Sequence, residues 1–228
     1  MGAGMGRGHV MDDSQGASTQ GSTVEEWTRA LAESTGAPGG GAGTGVMLAV
    51  AASLTSMVAG YTDGEDGRDE VEAIRARAQA LRREALALAD DDAAASKAFG
   101  AAFRLDPGPE RDRAVHAASL DAAASSAVLG ERAAGSIDDL AWLAAHGNPA
   151  LVADVVVAFG ALRAAIAGAR ANVSFDLASL RSAGSTLEEI RDEHPDLWST
   201  VTRLDDALAR IDALAAEIDH RAAPTDAV

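Results

Sequence analysis

The chain has 228 residues, a formal net charge of -16, no cysteine, and 4% aromatics against 47% hydrophobic residues. So acidic a balance leaves no basic stripe to meet phosphates, so neither nucleic acid nor an anionic membrane surface is expected as a partner. Disulfides and thiolate metal sites are excluded, and a core built from Ala, Leu and Val favours closely packed helices over stacked sheets.

Residues 1–21 are rich in Gly, Ser and Gln without periodicity and read as a disordered tail, followed by a single helical domain over residues 22–222. No charged start leads into an apolar run, so no secretory signal is evident and a cytoplasmic location is expected. Thr23 and Glu26 form a capping box for a short helix ending near Ser34. The segment GAPGGGAGTG, residues 36–45, predicts a flexible loop leading into a helix from Thr44 to Thr62. This most hydrophobic run carries Ser53, Thr55 and Ser56 and suits a buried core helix better than a membrane span. The amides freed by the glycine triplet, with the dipole of the helix behind them, suit an anion or a carbonyl oxygen. The segment is not a P-loop, because the Lys-Ser/Thr pair is missing.

A long helix is predicted from Arg68 to about Leu105, closed by Pro107 and Pro109. Its seam reads Val71, Ile74, Ala78, Leu81, Ala85, Leu88, Asp92, Ala95, Phe99, Ala102, with one charged member. Asp90 and Asp91 lie off the seam and read as a solvated face. Asp92 occupies a position suited to Leu or Ala, where burial disfavours the charged form and fits a carboxylate to move protons near neutral pH. A structural carboxylate bonded to an arginine or a helix end fits the same position. Lys97 lies about 140° round the helix from Asp92 and faces elsewhere.

Helices follow over residues 110–132 and 136–146, then a Gly147-Asn148-Pro149 turn and a long helix to Asp176. Val152, Val155, Val156, Phe159, Ile166 and Val173 form its core stripe. A second line, Asp154, Ala158, Ala161, Ala165, Gly168 and Asn172, is small in the middle and polar at both ends. It suits either a ligand groove or tight helix packing. Eighteen residues separate Asp154 from Asn172, roughly 27 Å of helix, so either the ligand is long, or each residue serves its own end of a groove, or a dimer mate completes each site. Gly184 breaks the chain, and Ser185 with Glu188 caps a short segment. The last helix, from Pro195, has a stripe of Leu197, Val201, Leu204, Leu208, Ile211 and Ile218 that can pack on the bundle or on a second subunit. No segment alternates as a strand, so the expected fold is all-α, an up-and-down bundle of long helices. The 5 histidines are scattered without an HxxxH pair, and no metal site is expected.

Three of these segments resemble the cyclodeaminase/cyclohydrolase family of folate enzymes. They are APGGGAGTGVMLAVAASLTSMVAGYT (residues 37–62), LADDDAAASKAFGAAFRL (residues 88–105), and GNPALVADVVVA with GARANVSFDL (within residues 147–177). The resemblance implies an all-α homodimer that binds a reduced folate without metal or other cofactor and acts on the one-carbon bridge between N5 and N10. The residues shared at motif positions are Pro38, Gly39, Gly40, Gly41, Asn148 and Asn172, implied to bind substrate, and Asp92 and Asp154, implied to be catalytic. Asp92 would be the base, and Asp154 would hold the pterin edge or relay a proton. Arg163, Arg170 and Arg181 are candidates for the glutamate tail. Ala42, Gly36, Ser96, Ala153 and Asp176 depart from the family pattern, several of them next to the implied pocket, Asp176 standing in place of an asparagine. The expected activity is that of a methenyltetrahydrofolate cyclohydrolase giving the 10-formyl form. Formiminotetrahydrofolate cyclodeamination with ammonia release, a diverged paralog acting on another imine, amidine or aminal, and a non-catalytic helical binding protein are the alternatives.

Overall fold

A computed structural model of the protein describes residues 17–62, 67–182 and 184–222. The described residues are helical throughout, with no strand among them: α1 (Val24–Ala32), α2 (Gly40–Gly60), α3 (Arg68–Phe103), α4 (Pro109–Gly135), α5 (Ile137–His146), a 3-10 turn (Pro149–Leu151), α6 (Val152–Ser182), α7 (Leu187–Glu193) and α8 (Pro195–Ala222). The Thr23–Glu26 capping box starts α1 as predicted, and a second box forms one residue later than predicted, between Thr186 and Glu189. The expected tail over residues 1–16 lies outside the described residues. Residues 17–21 are part of the fold: Ser18, Thr19 and Gln20 all donate hydrogen bonds to the Asp90 carboxylate.

α2 and α6 are the axis of the bundle. They run antiparallel, because a methyl group placed on Gly168 would meet Thr44 (3.2 Å from its Cγ2) while Asn148 Nδ2 donates to Tyr61 O at 3.1 Å. α3 packs antiparallel on α2, with Gly45 against Ala85 and Ala89 at one end and Gly60 beside Arg75 at the other. α4 closes the other side, against both α3 and α6, and α8 lies along α6. Leu48, Val58, Ile74, Leu140, Leu143, Phe159, Leu162, Ile166, Leu204 and Ile211 interlock as the main core. Burying each such side chain contributes roughly 1.5–3 kcal/mol. The α8 stripe therefore packs on the bundle itself, through Leu204, Ile211 and Ile218.

Two expectations are corrected here. The helix expected from Thr44 begins at Gly40, so the glycine triplet forms its N-cap and first turn and is not a loose loop. Glycine disfavours helix by roughly 1 kcal/mol per residue, but at this point α2 must approach α3 too closely for a side chain, and packing overrides propensity. The small-residue line of α6 is not an open groove. Ala158 and Ala165 are fully buried, and α2 fills the space above them. A ligand cannot lie along that face within one chain.

Candidate active site

The filled groove leaves its two ends distinct. Asn172 follows Gly168 by one helical turn and lies beside the start of α2, whereas Asp154 lies beside its end. Roughly 27 Å of helix separates them. At the far end, Asn148 has a structural role: its side-chain oxygen accepts from Ala150 N at 3.0 Å, its amide nitrogen donates to Tyr61 O, and its own N–H reaches Thr62 Oγ1. The chain therefore does not bring the implied catalytic pair, Asp92 and Asp154, together. Arg163 and Arg170 are likewise engaged, pairing with Asp212 and Asp205 of α8.

At the near end, α1, α2, α3 and α6 converge. Trp27, Ala42 and Ala89 pack as a small apolar cluster under the first turn of α2, and Pro38 is buried just ahead of it, after a cis Ala37–Pro38 bond. Gly39 caps α2 without a side-chain bond, so the first amides depend on tertiary partners. Asp92 partners one of them, the Ala42 N–H. Only 8% of the residue is exposed, and a methyl group on Gly41 would lie within 2.5 Å of Oδ1, Cγ and Oδ2 of its carboxylate. Burial raises the Asp92 pKa, and the Ala42 backbone N–H and the Ser96 hydroxyl oppose that rise. Its Oδ2 is buried and has no hydrogen-bond partner. An orphaned, desolvated carboxylate oxygen at a helix N-terminus is poised to take a proton from a guest or to stabilise a cation there.

Facing it from α6 is Asp176, which follows Asn172 by one more turn. Its carboxyl is pushed up to about 7, first by burial and then by the charge of Asp92. Sequence reasoning noted Asp176 only as a departure from a family pattern. The signal that could have found it is its spacing, eight residues beyond Gly168 on the line that meets α2. Asn172 is half-exposed on the same line. Gly40 is open to solvent and Gly39 and Gly41 partly so, which leaves the first turn of α2 accessible from outside.

Next to this point, between α3, α4 and α6, opens a cleft of about 420 Å³ lined by Phe99, Phe103, Val115 and Phe175 with Arg111 at its rim. The Phe99 and Phe103 rings are 4.8 Å apart, and the Arg111 guanidinium sits over Phe103 at 5.6 Å. Asp90, expected on a solvated face, is the anchor of the N-terminal segment. Burial pushes its carboxyl up, but the donors from Thr19, Gln20 and Ser18 outweigh that and hold it below the usual range.

The formiminotransferase-cyclodeaminase family model matches residues 23–194. The chain belongs to this family. It is 28% identical over 179 residues to a methenyltetrahydrofolate cyclohydrolase of Methylorubrum extorquens, an alignment covering 75% of this chain and 86% of that protein. Its fold matches the crystal structure of a formiminotetrahydrofolate cyclodeaminase from Thermotoga maritima with a TM-score of 0.75 at 22% identity, covering 88% of this chain and 96% of the other. The family match spans every element that builds the near end of α2, from the Thr23 capping box to α7.

Proposed function

We propose that the protein is a methenyltetrahydrofolate cyclohydrolase, adding water to the N5,N10-methenyl bridge of tetrahydrofolate. The observation that carries this reading is the orphaned Asp92 oxygen against the glycine-built first turn of α2 in a chain of this family. The substrate is an amidinium cation. A desolvated carboxylate beside it stabilises that charge and takes a proton from the attacking water. The open amides of Gly40 and Gly41 suit a carbonyl oxygen of the ligand, Asn172 is free to orient it, and the phenylalanine cleft fits a flat ring. The cyclohydrolase relative, aligned over most of its own length, favours hydration.

The active form we propose is a homodimer. Along one side of the α2–α6 pair, Met47 (44% exposed), Val50 (41%) and Val157 (59%) stand uncovered, with Leu54 between them. This apolar strip lies near the middle of α2 and beside the first turns of α6, and such strips on a soluble surface mark interfaces. With the two-fold axis perpendicular to α2, the ends of α2 are exchanged and the partner's Asp154 approaches the Asp92 mouth of this chain. Asp154 then acts on substrate held by the other subunit, which agrees with its distance from Asp92 within one chain.

The test is loss of the near-ultraviolet methenyl absorbance with purified protein. Acceleration in wild type, unaffected by a metal chelator and abolished in Asp92→Asn with the fold intact, supports the proposal. A wild type that leaves the band at its spontaneous rate refutes it, and ammonia release from formiminotetrahydrofolate would assign the deaminase reaction instead.

A further inference from the structure

Asp176 has no part in the reading above, yet it shares the mouth of α2 with Asp92. We infer that the two carboxyl groups work as a pair holding one proton, Asp92 as base and Asp176 as the acid that protonates the departing ring nitrogen. This inference rests on the cyclohydrolase reading for its substrate, though the pairing itself is tested without one.

The geometry has three parts. Asp92 is more than nine-tenths buried with one carboxylate oxygen unpartnered, and it lies against Gly41. The contact between Thr44 and Gly168 sets the register of α6 on α2 and brings positions 172 and 176 successively to and past the first turn of α2. The side chain of Asp176 has no hydrogen-bond partner among the described residues, and Ser179 bonds the backbone carbonyl of Asp176 and the Ser119 hydroxyl. No side chain on the first turn of α2 carries a charge. α3 supplies Asp92 and Ser96, and α4 brings Arg111 and Asp112 to the neighbouring cleft. Burial raises the Asp176 carboxyl most, the charge of Asp92 adds to it, and two neighbouring acids do not both ionise readily. Asp176 is the more open of the two and holds its proton up to about pH 7.

The chemistry balances with these two groups. Water attacks the bridging carbon of the amidinium, its oxygen forms the new C–O bond, and Asp92 accepts the released proton, which passes to solvent. The neutral carbinolamine then collapses. Its hydroxyl proton goes to Asp92, the C–N bond breaks with its electron pair on nitrogen, and Asp176 donates its proton to that nitrogen. Return of one proton from Asp92 to Asp176 resets the pair, and the net reaction takes up one water and releases one proton.

Asp176→Asn keeps size and polarity but cannot donate an acidic proton. Against an active wild type, kcat should fall by about 100-fold, the scale of one general acid. KM should change by less than about threefold, and the decline in kcat above neutral pH should vanish. Carboxyl 13C NMR of substrate-free protein tests the pair directly. Asp176 should titrate near 7 in wild type and lower in Asp92→Asn, though still above the ordinary carboxylate range, because burial, the larger cause, remains. An Asp176→Asn enzyme with wild-type kcat and pH profile overturns the inference, as does an Asp176 titration indifferent to Asp92→Asn. A wild type inactive on folates defeats the cyclohydrolase reading instead, and the NMR result then decides the pairing alone.

Discussion

Replacing Gly41 with alanine probes the contact on which the site depends. The added methyl group would lie within 2.5 Å of all three carboxylate atoms of Asp92, where non-bonded heavy atoms rest at roughly 3.5 Å. The carboxylate must therefore retreat by about 1 Å or more, away from the Ala42 amide and into the packed α2–α3 seam. A displacement of that size at a reacting group costs on the order of 100-fold in rate, so kcat for methenyl hydrolysis should fall by about that factor. Stability feels two opposing effects. Alanine favours helix over glycine by ~1 kcal/mol, and overpacking a filled site costs ~1–3 kcal/mol. The net loss of ~0–2 kcal/mol lowers the melting temperature by at most about 8 °C in a chain of this size. Gly43→Ala is the control, since a methyl group there meets no atom within 4 Å. It should keep full activity and gain up to ~1 kcal/mol. Methenyl absorbance decay and calorimetry on the three proteins give both quantities. If Gly41→Ala matches wild type in rate and melting temperature, Asp92 does not sit beneath the first turn of α2 and the proposed chemistry loses its base.

Mixing inactive Asp92→Asn and Asp154→Asn proteins under exchange conditions should restore activity, because a hybrid dimer carries one intact pair across its interface. Val157→Glu should yield monomers on sedimentation and lose activity, and restoration that persists in such monomers would contradict the shared site. Asp176 makes a signed prediction for stability. Its folded pKa of about 7 exceeds the unfolded value of roughly 4, so its contribution is fully present below that lower value and is lost as pH rises to about 7. Asp176→Asn should therefore gain melting temperature over wild type progressively across that window, and an equal difference at pH 4 and pH 8 would count against the raised pKa. Asp90→Ala should release Ser18–Gln20 from α3, cost roughly 1–2 kcal/mol from lost hydrogen bonds to a charged group, and speed proteolysis of the N-terminal segment. Because the Asp90 pKa is lowered, its contribution holds above the ordinary carboxylate range and fades as pH falls below it.

Much of this protein was legible from residue order alone. The 3–4 spacing of apolar residues, the Thr23–Glu26 box, the Pro107 and Pro109 stop and the Pro195 start are local signals that act within a turn or two of helix, and they gave an all-α bundle with each long helix near its observed limits. Asp92 stood out for a similar reason, one acid in an otherwise apolar seam. Positions across the bundle were not legible. Whether the small-residue line of α6 holds a ligand or another helix depends on which helix docks there. The contacts of Gly45 with α3 and of Thr44 with Gly168 settled it in favour of α2, at a cost in helix propensity that no local rule anticipates. The same docking sent Asp154 to the opposite end from Asp92, tied Asn148 to the end of α2, and placed Asp176 where burial first, and the Asp92 charge second, raise its pKa. Helical periodicity sets which face a residue occupies, but the register between helices is set by the fit of side chains far apart in the chain. That fit is a property of the packed structure.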